Sequence, residues 1–231
     1  MTHRPAPPPG TNTDTGSAGA RLWLALSLAL GLPALLLGWV PLGQPLSAWP
    51  AHTQTLALQP DAGWQQAAWT WWTAAWLHGS AQHLHKNLLA LALMAALGWM
   101  ARPPVHVSLA WALAWPLTQI GMLGQPLPVY IGLSGVLHAG VIILALNQVL
   151  ATGNRRRQIM GALLLLTLIL KILMENPWQH TLIRPPGSDI NVAPWAHLSG
   201  ATAGAFFYLV TSVTRLAPSV KRLTCRQRTL D

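Results

Sequence analysis

The sequence predicts an all-α membrane protein, a bundle of six transmembrane helices with both chain termini in the cytoplasm. Hydrophobic residues make up 52% of the 231-residue chain and charged residues only 8%, a balance that a soluble domain of this size would hardly tolerate. Apolar stretches long enough to cross about 30 Å of hydrocarbon recur along the chain. Basic residues alternate with these stretches, which indicates one consistent orientation in the membrane.

Six apolar stretches are predicted as transmembrane helices. The second and the fifth are shorter than the roughly 20 residues that usually span a bilayer. We expect these two helices either to include interfacial residues or to lie where the bilayer is thinned. The stretches cover residues 22–40, 86–101, 105–123, 132–150, 158–174 and 193–213.

Clusters of Lys and Arg predict the orientation, because all of them fall on one side of the six spans. By the positive-inside rule that side is cytoplasmic, so the loops 41–85, 124–131 and 175–192 lie outside. The net charge of +9 is mostly a topology signal with attraction to anionic lipid. Without a basic folded domain it does not indicate nucleic-acid binding. The clusters are Arg4 with Arg21, Arg102, Arg155 with Arg156 and Arg157, and Arg215 with Lys221, Arg222, Arg226 and Arg228.

The two ends of the chain differ in composition from the predicted bundle, which covers residues 21–214. Residues 1–20 are rich in Pro, Gly and Thr and contain little to bury, so we predict a disordered cytoplasmic tail. Residues 215–231 form a basic cytoplasmic tail. The apolar run after Arg21 is too long for a signal peptide, so we interpret it as a retained first helix.

Polar side chains collect at the predicted outer ends of three helices. His83 and Asn87 are four residues apart at the start of the second span and therefore share a helix face. Ser134 opens the fourth span and His197 opens the sixth. Burying hydroxyl and imidazole groups among leucines is costly without partners, so these groups are functional candidates.

The ordered motifs around these residues resemble the rhomboid family of intramembrane serine proteases. That family has a tryptophan-bearing first loop, a His-x-x-x-x-His-x-x-x-Asn run entering the second helix, a Gly-x-Ser-Gly opening the fourth, and an Ala-His-x-x-Gly-x-x-x-Gly in the sixth. Order and spacing match over roughly residues 69–210. The matching positions are His78, His83 and Asn87, then Gly132, Ser134 and Gly135, then Ala196, His197, Gly200 and Gly204.

The resemblance implies a serine endopeptidase that works with a Ser–His dyad near the outer leaflet and needs no metal or other cofactor. Ser134 would be the nucleophile and His197 the general base, which fits the need of a serine for a neighbouring imidazole. Asn87, His83 and the Ser134 backbone N–H would stabilise the oxyanion. The implied partners are the lipid bilayer and a membrane-anchored protein substrate. Small residues at Gly200 and Gly204 would let the fourth and sixth helices approach closely.

Departures from the family pattern narrow the resemblance. Typical rhomboids have a tyrosine four residues after the serine, whereas this chain has His138, which resembles the rhombosortase subfamily. Rhombosortases are thought to process bacterial proteins with a C-terminal Gly-Gly tail anchor, so the resemblance implies a bacterial inner-membrane location with the site facing the periplasm or exterior. Thr70 replaces the usual loop arginine, which puts that arginine's role in doubt.

Two further groups have both a functional and a structural interpretation. His138 either orients His197, by stacking or hydrogen bonding in place of a triad carboxylate, or is a packed polar residue. Lys171 and Glu175, one helical turn apart, are either a local ion pair or part of a gate or substrate contact beside the fifth helix.

Other functions are less well supported by the sequence. A generic rhomboid protease that cleaves single-span proteins is the nearest alternative. A catalytically silent rhomboid-like chaperone is disfavoured by the intact Ser134, His197 and Asn87. A small transporter would need internal repeats, and a zinc protease would need a His-Glu-x-x-His motif, neither of which is found.

Overall fold

A computed structural model describes the backbone of residues 13–227 and the side chains of residues 16–213. Its architecture is all-helical, with six long helices and several short helical turns in the loops. The long helices are α1 (Thr13–Leu37), α2 (Ala81–Ala101), α3 (Val105–Ile120), α4 (Ser134–Val149), α5 (Arg155–Glu175) and α6 (Pro194–Gln227).

Each predicted span corresponds to one of these helices, but their lengths differ from expectation. Helices α2 and α5 have 21 residues each, because polar residues extend them as anticipated. Ser80 caps α2 by accepting from the backbone N–H of His83, and Asn154 caps α5 in the same way. The shortest of the six are instead α3 and α4, with 16 residues each.

Three helices in the described part of the chain are long and apolar enough to cross a membrane. They are Gly16–Leu37, Ala81–Ala101 and Arg155–Glu175, and the shorter apolar helix Ser134–Val149 lies among them. The all-helical membrane fold is therefore supported by the structure. The count of six spans and the cytoplasmic placement of both termini stay predictions.

Helix α1 begins before residue 20, where the predicted N-terminal tail ends. Helix α1 begins at Thr13, so residues 13–20 are helical, while residues 1–12 lie outside the described part. The small residues of this segment allow close helix packing, which explains why it is helical and not a disordered tail. A Cβ at Gly19 would lie 1.9 Å from the carbonyl oxygen of Pro103, and Ser108 donates to the Gly19 carbonyl at 2.8 Å. The start of α1 thus packs tightly against the turn between α2 and α3. At the other end α6 continues to Gln227, and residues 228–231 of the predicted tail lie outside.

Helix α4 lies at the centre of the bundle, in contact with α3, α5 and α6. Its closest approach is to α6, where glycines face backbone. A Cβ at Gly200 would lie 1.9 Å from the Gly135 carbonyl oxygen, and one at Gly204 would lie 2.6 Å from that of Ala139. The expected close packing of the fourth and sixth helices is confirmed.

Two buried tryptophans fill the part of the core where α1, α2, α3 and α4 meet. The rings of Trp23 and Trp111 stack with centroids 4.2 Å apart, and both are fully buried. Each indole N–H donates to a backbone carbonyl, Trp23 to Met94 and Trp111 to Val136, both at 2.9 Å. These bonds satisfy the polar edge of each ring and join α1, α2, α3 and α4.

The long loop before α2 is held by side-chain bonds to its own backbone. The Gln66 amide bonds to the backbone N–H and carbonyl of Gln59 and to the carbonyl of Gly63. Thr70 donates to the Ala67 carbonyl at 2.8 Å. Gln66 and Thr70 therefore order this loop where the resemblance would have used an arginine.

Candidate active site

Ser134 is the first residue of α4, and the segment before it is fixed by the first loop. Backbone bonds join Tyr130 to Leu58, and the Gly132 N–H donates to the Ala74 carbonyl at 2.9 Å. Gly132 has φ +130°, and a Cβ there would lie 3.0 Å from the His83 ring. A glycine is needed at this position for both its conformation and its lack of a side chain.

His197 lies in the first turn of α6 and reaches Ser134 across the close helix contact. The His197 Nε2 and the Ser134 Oγ are 3.0 Å apart, a hydrogen-bonding distance. His197 is only 3% exposed. Gly135 makes the approach possible, since a Cβ there would lie 2.8 Å from the Ala196 carbonyl oxygen. The structure thus brings together two residues that are sixty-three positions apart.

The other ring nitrogen of His197 contacts a carboxylate. Its Nδ1 lies 2.6 Å from Oε2 of Glu175, the last residue of α5. The second oxygen, Oε1, forms an ion pair with Lys171 at 2.5 Å. The Glu175 side chain is 10% exposed and that of Lys171 is 47% exposed. The anticipated Lys171–Glu175 pair is present, and it extends to His197, which the sequence interpretation did not anticipate.

These contacts determine the tautomer of His197. A carboxylate can only accept hydrogen bonds, so Nδ1 must carry the hydrogen that it shares with Glu175. In the neutral ring Nε2 then has the free lone pair, and the Ser134 hydroxyl donates to it. The proton acceptor of His197, the lone pair of Nε2, therefore faces Ser134.

His138 lies against the face of His197. The two rings stack with centroids 4.0 Å apart and an interplanar angle of 13°. Its Nδ1 donates to the Ser134 carbonyl at 2.7 Å, since a carbonyl oxygen only accepts. Of the two predicted contacts with His197, the structure has the stacking, and the hydrogen bond goes to the Ser134 backbone instead.

Two predicted oxyanion donors line the same cavity as Ser134. Asn87 is 6% exposed, and its Nδ2 has no hydrogen-bond partner among the described residues. The His83 Nδ1 accepts from the Gly79 N–H at 3.3 Å, so its Nε2 carries the hydrogen in the neutral ring. Among the described residues the Asn87 amide nitrogen is thus an unused donor, and the neutral His83 ring presents an N–H at Nε2.

Tyr130 is a residue that sequence reasoning missed. Its hydroxyl is buried beside Ser134. Burial raises the pKa of the Tyr130 phenol, which therefore stays protonated and able to donate. Its position four residues before Ser134 is the sequence feature that could have indicated a place in the site.

His78 and His85 play no direct part in this geometry. The His78 Nδ1 donates to the Trp76 carbonyl at 3.2 Å, a bond within the loop before α2. Burial, with a smaller effect of His83, lowers the pKa of His78 to about 3, so it is neutral at physiological pH. His85 is exposed. In the described residues no group of three His, Cys, Asp or Glu side chains is arranged to hold a metal ion.

A cavity of about 1360 Å³ connects these polar groups with an apolar groove. Helices α2, α4 and α5 form its walls, and among the described residues α2 and α5 have almost no direct contact with each other. The apolar lining includes Leu93 and Leu97 of α2, Val141 of α4, and Leu164 and Leu168 of α5.

The fold and this groove define an all-helical, multi-pass membrane protein. The family model described as Rhomboid domain matches residues 65–213. Because this match covers more than half of the chain and includes every residue of the site, the chain belongs to the rhomboid family, which is of the intramembrane protease type. No curated protein and no solved structure was found to match the chain.

Proposed function

We propose that the chain is an intramembrane serine endopeptidase in which Ser134 is the nucleophile and His197 the general base. The observation that carries the proposal is the 3.0 Å contact between Ser134 Oγ and the lone pair of His197 Nε2. Membership of the rhomboid family supports the same activity. His197 is buried and Ser134 is partly buried, and burying an imidazole without a partner would be costly.

In the acylation step Ser134 Oγ attacks the carbonyl carbon of the scissile bond. Its proton moves to His197 Nε2 as the new C–O bond forms, and the carbonyl π electrons move to the oxygen. When the tetrahedral intermediate collapses, the C–N bond breaks and the leaving amine takes the proton from Nε2. Water then attacks the acyl-enzyme with His197 again as base, which releases the acid and restores the Ser134 hydroxyl.

The developing oxyanion needs donors that are already in place. Asn87 Nδ2, His83 Nε2–H and the backbone N–H of Ser134 at the start of α4 are the candidates. The buried Asn87 amide nitrogen has no partner in the described chain, and a substrate oxygen would supply one. Such groups favour the transition state because their orientation is fixed before the reaction.

The substrate is a membrane-anchored protein. The groove between α2 and α5 has leucine-rich walls that suit an apolar segment, and it leads directly to Ser134. His138, which stands where typical rhomboids have a tyrosine, supports assignment to rhombosortases, which act on C-terminal Gly-Gly tail anchors. We therefore place the protein in a bacterial inner membrane, with both termini inside and the site open to the periplasm or exterior.

Labelling by a fluorophosphonate tests the proposed activity. The detergent-solubilised protein is compared with Ser134→Ala and His197→Ala, with folding of each variant checked by thermal melting. We expect covalent labelling of the native chain and its loss in both variants. Equal labelling of Ser134→Ala would contradict the assignment of the nucleophile.

Co-expression with two reporters tests the substrate class. One reporter has a C-terminal Gly-Gly tail anchor and the other a generic rhomboid-type transmembrane segment. Preferential release of the first is expected. Preferential release of the second would assign the chain to generic rhomboid proteases.

A further inference from the structure

We infer that Glu175 is the positioning residue for His197, so that the site is a Ser–His–Glu triad. This inference deepens the proposed function and rests on it. The family resemblance implied a dyad, and the sequence suggested His138 in place of a triad carboxylate. The geometry assigns that place to Glu175 instead.

The carboxylate of Glu175 has both of its oxygens in use. Oε2 accepts from His197 Nδ1 at 2.6 Å, and Oε1 pairs with the Lys171 ammonium at 2.5 Å. Two bonds in different directions fix the orientation of the carboxylate plane, whereas either bond alone would leave it free to rotate. Because Lys171 is cationic, it also favours the ionised form that can accept from Nδ1.

Helix α5 places this carboxylate accurately. Leu168 and Ile172, about two turns and one turn before the helix end, are buried in the core of the bundle. The helix stops immediately after Glu175, where Asn176 adopts a left-handed conformation with φ 49° and Pro177 follows. Glu175 is therefore the last residue of a helix whose preceding turns are anchored in the core, and it does not belong to the loop that follows.

During the reaction Glu175 would stay ionised and would neither gain nor lose a proton. The Nδ1 hydrogen stays on His197 and continues to bond to Oε2 while Nε2 gains the proton of Ser134. The imidazolium that forms then lies beside a carboxylate, which stabilises it. Without the carboxylate the ring can adopt the other tautomer, with the hydrogen on Nε2 facing Ser134 and no acceptor for the serine proton.

The test compares Glu175→Gln, Glu175→Asp and the matched control Met174→Gln. Met174 is the neighbouring residue on α5 and is 85% exposed, so its replacement changes the polarity of the helix end without touching His197. The rate of labelling by a small fluorophosphonate reports on Ser134 activation, because so small a reagent does not depend on entry of a transmembrane segment. The kcat and KM for a cleavable membrane substrate are measured in parallel, each across a range of pH.

We expect Glu175→Gln to lower both the labelling rate and kcat by roughly 10²–10⁴-fold, the scale seen when a triad carboxylate becomes an amide. KM should change little, the pH profile of labelling should change shape, and Glu175→Asp should recover at least about tenfold of the loss. Met174→Gln should match the native protein. Native labelling rates in Glu175→Gln, or an effect on KM alone, would overturn the triad and favour a gate.

The outcome also separates this inference from the proposed function. Labelling of the native chain with no effect of Glu175→Gln contradicts the triad only. If the native chain is not labelled, it has no activated serine for Glu175 to assist. That result overturns both the proposed function and the triad. A variant that loses thermal stability but keeps the native pH profile indicates a purely structural role and also overturns the inference.

Discussion

At the scale of single residues, His197 has three neighbours with distinct contacts. Ser134 and Glu175 hydrogen-bond to its two nitrogens, and His138 covers its face. All possible hydrogen bonds of the neutral ring are therefore made, and stacking is the contribution left for His138. This division of contacts separates the predicted effects of changing each neighbour.

Replacement of His138 by Phe should preserve activity, because an aromatic ring of similar size can still stack on His197. We expect kcat to stay within about threefold of the native value. His138→Ala should lower kcat by up to roughly tenfold, since an aromatic pair contributes about 0.5–1.5 kcal/mol. Turnover of a membrane substrate at several pH values measures both. A large loss in His138→Phe would mean that the hydrogen bond to Ser134 is the important contact.

Replacement of Asn87 should lower turnover without weakening substrate binding, because its amide would act only on the oxyanion. We expect Asn87→Ala to reduce kcat by roughly 10²–10³-fold with KM nearly unchanged. Asn87→Asp has the same shape but no donor when ionised, and should be equally impaired. Full activity in Asn87→Asp would exclude a donor role for this side chain.

At the scale of helices, the contact between α4 and α6 determines whether Ser134 and His197 meet. A methyl group at Gly200 would overlap the Gly135 carbonyl, so Gly200→Ala must push α6 away from α4. We expect a loss of stability of about 1–3 kcal/mol, typical of overpacking, together with a loss of labelling. Thermal melting and fluorophosphonate labelling measure the two effects.

The matched control for that experiment is on the same helix. Thr202 is exposed, and its hydroxyl donates to the Leu198 carbonyl one turn earlier. Thr202→Ala should leave both stability and labelling close to native. Equal damage by the two substitutions would show that α6 tolerates no change, and the special role of Gly200 would be lost.

Helix packing also marks the limit of what the sequence predicts. Ser134, His197 and Asn87 belong to local motifs with fixed spacing, so their association was predictable from the family pattern. Glu175 is on a different helix from His197, and nothing local indicates that the two meet. Its signal was weak but present: it is the chain's only glutamate, at the end of an apolar span. The start of α1 was missed because glycines and serines that pack closely resemble those of a tail.

At the scale of the whole molecule, the orientation in the membrane is open to direct measurement. The single cysteine, Cys225, belongs to the predicted cytoplasmic end, whereas Trp64 is in the predicted outer loop and is 68% exposed. A membrane-impermeant maleimide added to intact spheroplasts should not label Cys225, but should label Trp64→Cys in a Cys225→Ser background. The reverse pattern would place the loop inside and contradict the positive-inside assignment.

In the proposed triad, the position of Glu175 at the end of α5 would link the width of the groove to the reactivity of Ser134. Helix α5 forms one wall of the groove and also holds the carboxylate against His197. An outward movement of α5 that widens the groove therefore weakens the carboxylate contact. By thermodynamic reciprocity, whatever strengthens that contact favours the narrow groove by the same factor. Under the proposed function, such a site would be least reactive with the groove wide and most reactive with α5 in the position described here.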